Sequence, residues 1–498
     1  MRELITIQVG QCGNQIGAKF WELAIKEHSK YNKSSVYDDA LSSFFRNIDK
    51  SSKGHELKVG SEIINLKARS IIVDMEEGVT NQLLKSDIGD LFDQRQFIND
   101  VSGAGNNWAH GHFFYGNKYR DNMSERIRKA VEQCDSLQCF FLMHSLGGGT
   151  GSGLGTFLLS LIEDEYPDVY RFTASVFPQK DDDVITSPYN SFFSLYELAK
   201  HADCVFPIDN QALMNICYQI DNPNKVKLAK DNINVSKEEE IKIMMNKGSK
   251  ITQAGTEEKK EKPFDKMNNI IAHLLSNITW QIYLRKWLIK INLNLNQSSM
   301  RFEGVLNVDL NEITMNLVPY PDLHFLISSI APLYSLSDSN LQPRRLDQMF
   351  KDCYHPDYQL VSVNPFQNKY LAVGLMVRGS VPFSDVNRNI KKLRSELNMI
   401  YWNQEGFKYG ICNTPPIGQP YSLLCLANNT AIRDQFSTMV ERFNKLYKRK
   451  VFVHHYTEYM DAKHFDEALN SITSLISKYE ELHKAEEPSS QPRLKPLI

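Results

Sequence analysis

The sequence predicts an α/β protein whose first half is a parallel sheet with glycine loops at the carboxyl ends of its strands. Two stretches carry that prediction. Residues 137–146 form a nearly continuous apolar run, the pattern of a strand buried on both faces. Gly147, Gly148, Gly149, Thr150, Gly151, Ser152 and Gly153 follow, and then Leu154, Phe157, Leu158, Leu161 and Ile162 recur at helical spacing until Pro167 ends the helix. Residues 4–9 alternate and run into Gly10, Gln11, Cys12, Gly13, Asn14, Gln15, Ile16 and Gly17, followed by a helix with Phe20, Trp21 and Ala24 on its inner face. Each unit is strand, bare backbone, helix. Such a loop turns main-chain N–H groups and a positive helix end toward whatever sits above the strand, and the natural occupant is a phosphate.

Composition sets limits on function. The chain has 498 residues, 42% of them apolar and 23% charged, which suits two or three folded domains. A net charge of -2 implies no bulk attraction to nucleic acid or membrane. Eight cysteines are scattered without a CxxC pair, so reduced thiols are expected. No stretch is long and apolar enough to predict a membrane span, and Met1-Arg2-Glu3 leads into a strand rather than a signal peptide. The glycine run is not a Walker A loop, because no lysine lies between Leu137 and Glu165. It also fails the dinucleotide spacing in every register, and no catalytic His or Cys dyad accompanies it, so a dinucleotide enzyme is disfavoured.

Further along, Ser102, Gly103, Ala104, Gly105, Asn106, Asn107, Trp108 and Ala109 make a third glycine loop. GQCGNQIG, SGAGNNWA and GGGTGSG together resemble the nucleotide loops of the tubulin and FtsZ family of GTPases. The resemblance covers most of the chain. It implies a Rossmann-type GTPase domain over residues 1–262, a central helix and α+β intermediate domain over 263–440, and C-terminal helices over 441–498. By resemblance, Gly10, Gln11 and Cys12 approach phosphate and Gln15 reaches the base. Gly103, Ala104, Gly105 and Asn106 serve the terminal phosphates, as do Ser145, Gly147, Gly148, Gly149, Thr150 and Gly151. Cys12 could equally be core filler. A long C-terminal helical part disfavours the bacterial branch of the family.

The remaining segments follow in order. Residues 30–66 are polar and irregular and are expected to be a surface excursion. Residues 68–73 form a strand that ends in Asp74, with Glu76 two residues on. These carboxylates match those expected to hold Mg²⁺ through its waters, though a solvated turn would look the same. Residues 170–177 are another strand, and the loop after it should hold ribose. Ser187 stands there in place of the usual glutamate, and Asp183 aligns with a ribose-contacting acid that could also be part of a solvated acidic turn. After the strand at 203–207, Asn210 places an amide that can read a guanine edge. Residues 221–263 are rich in Lys and Glu and read as a disordered insertion. Then Phe264 takes the place of a stacking tyrosine and Asn268 would read the base. Met267, Ile270, Ile271, Leu274, Leu275 and Ile278 make a core stripe. Residues 280–298 are a second surplus segment, readable as a partner-binding helix or as an artefact of the gene model. Glu312 aligns with the glutamate that enters the next subunit's site and orients the attacking water. Its bland reading is a surface acid capping a helix. Residues 335–345 differ from the family's lateral-contact loop, and the tail after Leu482 lacks the dense acidic run of common tubulins.

Within the family, residues 43–47, 66–69, 74–78, 182–190, 202–204 and 344–350 are most similar to the epsilon branch. That implies GTP or GDP with Mg²⁺ as cofactors and a place in the cytoplasm and cytoskeleton at the centrosome, centriole or basal body. It implies a role there in doublet and triplet microtubules of centrioles and cilia. Implied partners are other tubulins, delta-tubulin foremost and alpha- and beta-tubulin after it, with no nucleic acid and no membrane. GTP hydrolysis would need an acid supplied in trans. The alternative is a GTP-binding interaction protein of the centrosome that does not polymerise.

Overall fold

A computed structural model describes residues 3–32, 35–49, 55–179, 182, 184–221, 264–283, 310–333 and 345–486. The expected insertion, most of the surplus segment, the lateral loop up to Arg344, Asp183 and the extreme tail lie outside these residues.

The first sheet is parallel. Its strands are β1 (Glu3–Val9), β4 (Ser70–Asp74), β5 (Phe97–Asn99), β6 (Leu137–Ser145), β7 (Tyr170–Phe177) and β8 (Cys204–Asp209), in the order β5-β4-β1-β6-β7-β8. The central strands are buried along nearly their whole length, which is why they read as apolar runs rather than alternating ones. β2 (Phe45–Asn47) and β3 (Leu66–Ala68) pair as a small antiparallel ribbon beside this sheet.

The ribbon corrects one expectation. Residues 30–66 are not a mere surface excursion, because Tyr37, Leu41, Phe44 and Phe45 are fully buried. Phe44 and Phe45 pack edge-on against Trp21 of the first helix (Gly10–Tyr31), with ring centroids 6.4 and 5.2 Å away. Four apolar side chains diluted by polar neighbours leave no periodic signal, yet their burial anchors the loop.

A second, mixed sheet holds β9 (Leu326–Ala331), β10 (Tyr370–Gly379), β11 (Phe407–Cys412) and β12 (Tyr421–Asn429), in the order β11-β10-β12-β9. The two sheets meet edge to edge. Val205 N–H of β8 donates to His324 O at 2.9 Å, and Asp209 N–H donates to Leu360 O at 2.8 Å. The central helix (Asp265–Tyr283) begins where the stripe of apolar residues predicts. Met267, Ile271, Leu274, Leu275 and Ile278 are buried against the first helix and both sheets, and Ile270 is partly buried. The last helix (Lys463–Lys484) buries Phe465, Ala468, Ile472, Leu475 and Tyr479 along one face.

One buried ion pair ties three of these parts together. Arg378 of β10 donates to Glu27 of the first helix at 3.1 Å, and also to Ser276 and Asn277 of the central helix at 3.2 and 3.1 Å. Ser276 Oγ donates in turn to Glu27 at 2.8 Å. Removing one member of a dry pair leaves the other charge uncompensated. Arg378→Met is expected to destabilise the chain by about 3–5 kcal/mol in denaturant unfolding. The double variant with Glu27→Gln should recover a good part of that loss, and additive losses would show that the two side chains act independently.

Candidate functional site

The cleft lies at the carboxyl ends of β1, β4, β5 and β6, where three glycine loops close on one another. The first helix starts directly on β1 at Gly10, whose φ is +71°. A Cβ there would stand 2.9 Å from Gly151 N, so the first and last loops touch main chain to main chain. A Cβ on Gly149 would stand 2.8 Å from Asn107 N and 2.9 Å from Ala104 O, which joins the last loop to the middle one. Gly103, Gly105 and Asn106 all have left-handed φ, of +61°, +57° and +51°. Glycine and asparagine are the residues that tolerate this conformation, and successive turns of this kind can form an anion-binding concavity.

The last loop winds into its helix sooner than the sequence suggests. A π-turn over Thr150–Leu154 precedes the α-helix Gly155–Glu165. His144 at the end of β6 holds this turn. Its Nδ1–H donates to Gly151 O at 2.9 Å, so Nε2 accepts from Ser175 Oγ–H, also at 2.9 Å. Burial pushes the His144 pKa down to about 4 and keeps the ring neutral. Ser145 lies beside Gly151, with its Oγ 3.1 Å from where a Gly151 Cβ would be.

Asn190 fastens the loops from below. Its Nδ2 donates to Asn106 O at 2.8 Å and to Gly147 O at 2.9 Å. Its Oδ1 accepts Trp108 N–H at 2.9 Å and Tyr456 O–H at 2.6 Å. Thr186 Oγ also donates to Asn106 O at 2.8 Å. Trp108 is wholly buried and stacks on Phe193 with centroids 4.9 Å apart. Neither Asn190 nor His144 is marked as a site residue by the sequence. Both act from outside the motifs, and only a polar residue beside an aromatic run hints at them.

The two carboxylates expected at a cation differ in setting. Asp74 is buried at the end of β4, where Asn14 Nδ2 donates to it at 3.4 Å and Glu76 N–H at 3.3 Å. Burial raises its pKa to about 6, the mark of a carboxyl lacking a strong positive neighbour. Asn14 Oδ1 is buried beside it with no hydrogen-bond partner. Glu76 is exposed, and its Oε1 lies 2.6 Å from where a Gly103 Cβ would be, so a side chain at 103 would collide with it. Among the described residues no group of three or more His, Cys, Asp or Glu could hold a metal alone. A hard cation here would need oxygens from a bound nucleotide as well.

The base and ribose residues are brought to the same side less completely. Gln11 is exposed and Gln15, one turn later on the same helix, is half-buried. Cys12 packs against the core, and burial pushes its thiol up to about 12, so it is inert. Asn210 opens the helix that follows β8 (Asn210–Asp221), whose Leu213 and Ile216 share a core with Met267 and Ile271 of the central helix. Asn268 is buried one turn into that helix. Phe264, just before it, is 53% exposed and leaves a ring face open. Asp183 lies outside the described residues, but its neighbour Asp182 accepts Ser187 Oγ–H at 2.7 Å. Both would lie within 3.3 Å of a Cβ on Gly147. Ser187 thus helps hold an acidic residue at the rim of the glycine run.

Glu312 lies elsewhere, in the first turn of the short helix Leu310–Leu317, which packs through Leu317 onto Gly374 of β10. It is half-exposed, and Lys408 Nζ of β11 stands 3.1 Å from its Oε2.

A cup of main-chain amides at the ends of parallel strands, joined edge to edge to a second α+β unit, defines a nucleoside-phosphate-binding protein of the tubulin and FtsZ class. The chain belongs to the tubulin family. Residues 3–218 match the Tubulin/FtsZ family, GTPase domain, and residues 321–441 match the Tubulin C-terminal domain. It is 48% identical over 496 residues to the human protein named Tubulin epsilon chain, covering 97% of this chain and 96% of that one. The mouse Tubulin epsilon chain is also 48% identical over 485 residues, with the same coverage of both chains. The Tubulin beta chain of Porphyra purpurea is 33% identical over 489 residues, covering 97% of this chain and 94% of that one. The GTPase domain implies GTP or GDP binding. No helix among the described residues is long and apolar enough to cross a membrane.

Two measurements test the cleft. Asn190→Ala strips two carbonyls and two donors of their partner, and should weaken guanine-nucleotide affinity at least about tenfold. Unchanged affinity by calorimetry would show that the loops hold themselves. The depressed His144 pKa makes the unfolded chain bind more protons than the folded one between about pH 4 and 6.5. Stability should therefore be lost as pH falls through that window, and the buried His28 and His112, lowered to about 3 and about 4, act in the same direction. His144→Gln should flatten the pH dependence of urea unfolding by up to about 1.4 kcal/mol per pH unit, the contribution of one proton.

Proposed function

We propose that this chain is a GTP-binding tubulin that organises the doublet and triplet microtubules of centrioles and basal bodies. The observation that carries the nucleotide part is the close approach of Gly10 to Gly151 and of Gly149 to Ala104 and Asn107, which brings the three glycine loops together. Amides converging this closely suit the β- and γ-phosphates of GTP. Gly10, Gln11 and Cys12, Gly103, Ala104, Gly105 and Asn106, and Ser145 with Gly147 through Gly151 form the phosphate cup. Gln15, Asn210 and Asn268 read the base, Phe264 stacks on it, and the acidic turn at Asp183 takes the ribose. Asp74 and Glu76 hold Mg²⁺ together with the phosphates, and the raised Asp74 pKa and the unpartnered Asn14 Oδ1 support that fit. The ion would supply neutralisation of phosphate charge.

Glu312 acts in trans. Presented to a neighbour's nucleotide, its carboxylate orients the water that attacks the γ-phosphorus, while the bond from that phosphorus to the β,γ-bridging oxygen breaks. Turnover is then coupled to longitudinal contact. Similarity to the epsilon chains supports the centriolar placement in the cytoskeleton and a partnership with delta-tubulin, with alpha- and beta-tubulin as further neighbours. Residues 1–262, 263–440 and 441–498 are its GTP-binding, intermediate and C-terminal parts.

One observation favours a second reading, a GTP-binding interaction protein that does not polymerise. Glu312 is already engaged by Lys408 within its own chain, and an acid so occupied must exchange partners before it can serve a neighbour. Sedimentation with GTP, with and without delta-tubulin, separates the two. Partner-dependent pelleting supports the first reading, and none in any mixture supports the second. In the pelleting mixture, Glu312→Ala should leave nucleotide binding within about twofold and abolish assembly-stimulated phosphate release. Release at the original rate would refute the catalytic assignment.

A further inference from the structure

The opposite end of the parallel sheet carries a second polar cavity. It measures about 430 Å³ and opens at the amino ends of β1, β4 and β5, away from the glycine loops. Its walls come from β2, from the start of β4, from the turn before β5 and from the end of the helix Gly116–Glu132. Arg46, Arg69, Arg95, Arg126 and Lys129 line it, against one carboxylate, Asp93. That is a marked local excess in a chain of net charge -2.

The partners of these cations decide what the cavity can do. Arg69 is structural, since it donates to Ser42 O and Gln133 O and pairs with Glu3 and Glu56 at 3.5 Å. Lys129 pairs with Glu125 at 3.0 Å. The other three differ. Arg126 donates only to neutral groups, the Asn122 side chain at 3.2 Å and the Arg95 carbonyl. Arg95 is exposed, and the Asp93 carboxylate beside it accepts the Arg95 main-chain N–H at 3.1 Å instead of its guanidinium. Arg46 is 8% exposed. Among the described residues, no carboxylate comes within 4 Å of the Arg46, Arg95 or Arg126 guanidinium, and Arg46 makes no side-chain hydrogen bond. Desolvation is the dominant influence on the Arg46 guanidinium, and only the longer-range attraction of Glu56 and Asp93, opposed by Arg69, offsets it. Evolution of such a site makes physical sense when a ligand supplies the missing charge.

We propose that this cavity binds a small phosphate-bearing molecule, held by Arg46 from within and by Arg95 and Arg126 at the rim. Planar guanidinium forks match phosphate oxygens two at a time. A single carboxylate offers two oxygens and one charge, too few for three unpaired guanidiniums, whereas a phosphate ester or pyrophosphate offers at least three oxygens and about two charges. The volume falls in the range of small-ligand pockets. The site is separate from the nucleotide cleft, so it can be probed with that cleft full.

The test is calorimetric titration of the full chain, kept in excess GTP at physiological salt, with inorganic pyrophosphate. One saturable site per chain is expected. Arg46→Gln should weaken it at least about tenfold, the loss of a charge-assisted pair, with GTP affinity unchanged. Because Arg46 is buried, Arg95→Gln serves as the second variant. It removes an exposed side chain with no ion-pair partner among the described residues and should weaken the site several-fold without altering the melting curve. No saturable binding of pyrophosphate or of inositol hexakisphosphate would overturn the proposal, as would equal affinity in both variants. A triglutamate peptide that binds more tightly than pyrophosphate would also overturn it, in favour of an acidic peptide.

Discussion

Asn190 sits in the first turn of the helix Ser187–His201, wholly buried, and its amide serves four partners at once. Two carbonyls, Asn106 O and Gly147 O, take its protons, and Trp108 N–H and Tyr456 O–H occupy its oxygen. An asparagine side chain has two donors and room for two acceptances, so its capacity is filled. The loops at 103–108 and 147–151 are thus set against each other by one rigid group rather than by their own contacts alone. Glycine-rich backbone is costly to order, and this fixed amide offsets part of that cost. Aspartate there could not donate, and leucine would leave buried carbonyls and N–H groups unmatched.

The same logic recurs at larger scale. His144 pins the π-turn from the β6 side, while Arg378 and Glu27 pin the intermediate sheet to the first and central helices. In each case a polar group deep in the protein sets geometry, and apolar packing around it supplies most of the stability. The stacks of Trp108 on Phe193 and of Phe192 on Phe443 show how closely the nucleotide half and the C-terminal helices share one core.

Much of this was legible in the chain. Strands, glycine runs and helices with a single apolar stripe leave local, periodic signals. β6, β7 and the central helix therefore lie close to where residues 137–146, 170–177 and 264–278 place them. Three things were not legible, each for a physical reason. Tyr37, Leu41, Phe44 and Phe45 are buried but too sparsely placed to make a period, so their segment read as surface. Asn190 and His144 matter because distant segments converge on them, which no local pattern encodes. The ion pair of Glu312 with Lys408 joins residues nearly a hundred positions apart, and a carboxylate on a short helix says nothing about its partner.

The C-terminal segment reaches the cleft by more than packing. Asn107 Nδ2 donates to His455 O at 2.8 Å, Tyr189 O–H donates to Val451 O at 2.9 Å, and Tyr456 holds Asn190. The outermost layer of the molecule is therefore mechanically geared to the loops beneath it. A displacement of the stretch around His455 is passed, through these three bonds, to the loop at 103–108 and to the Asn190 amide that fastens it. The outer layer and the glycine loops are thereby parts of one hinge-free frame, and neither can shift without straining the other.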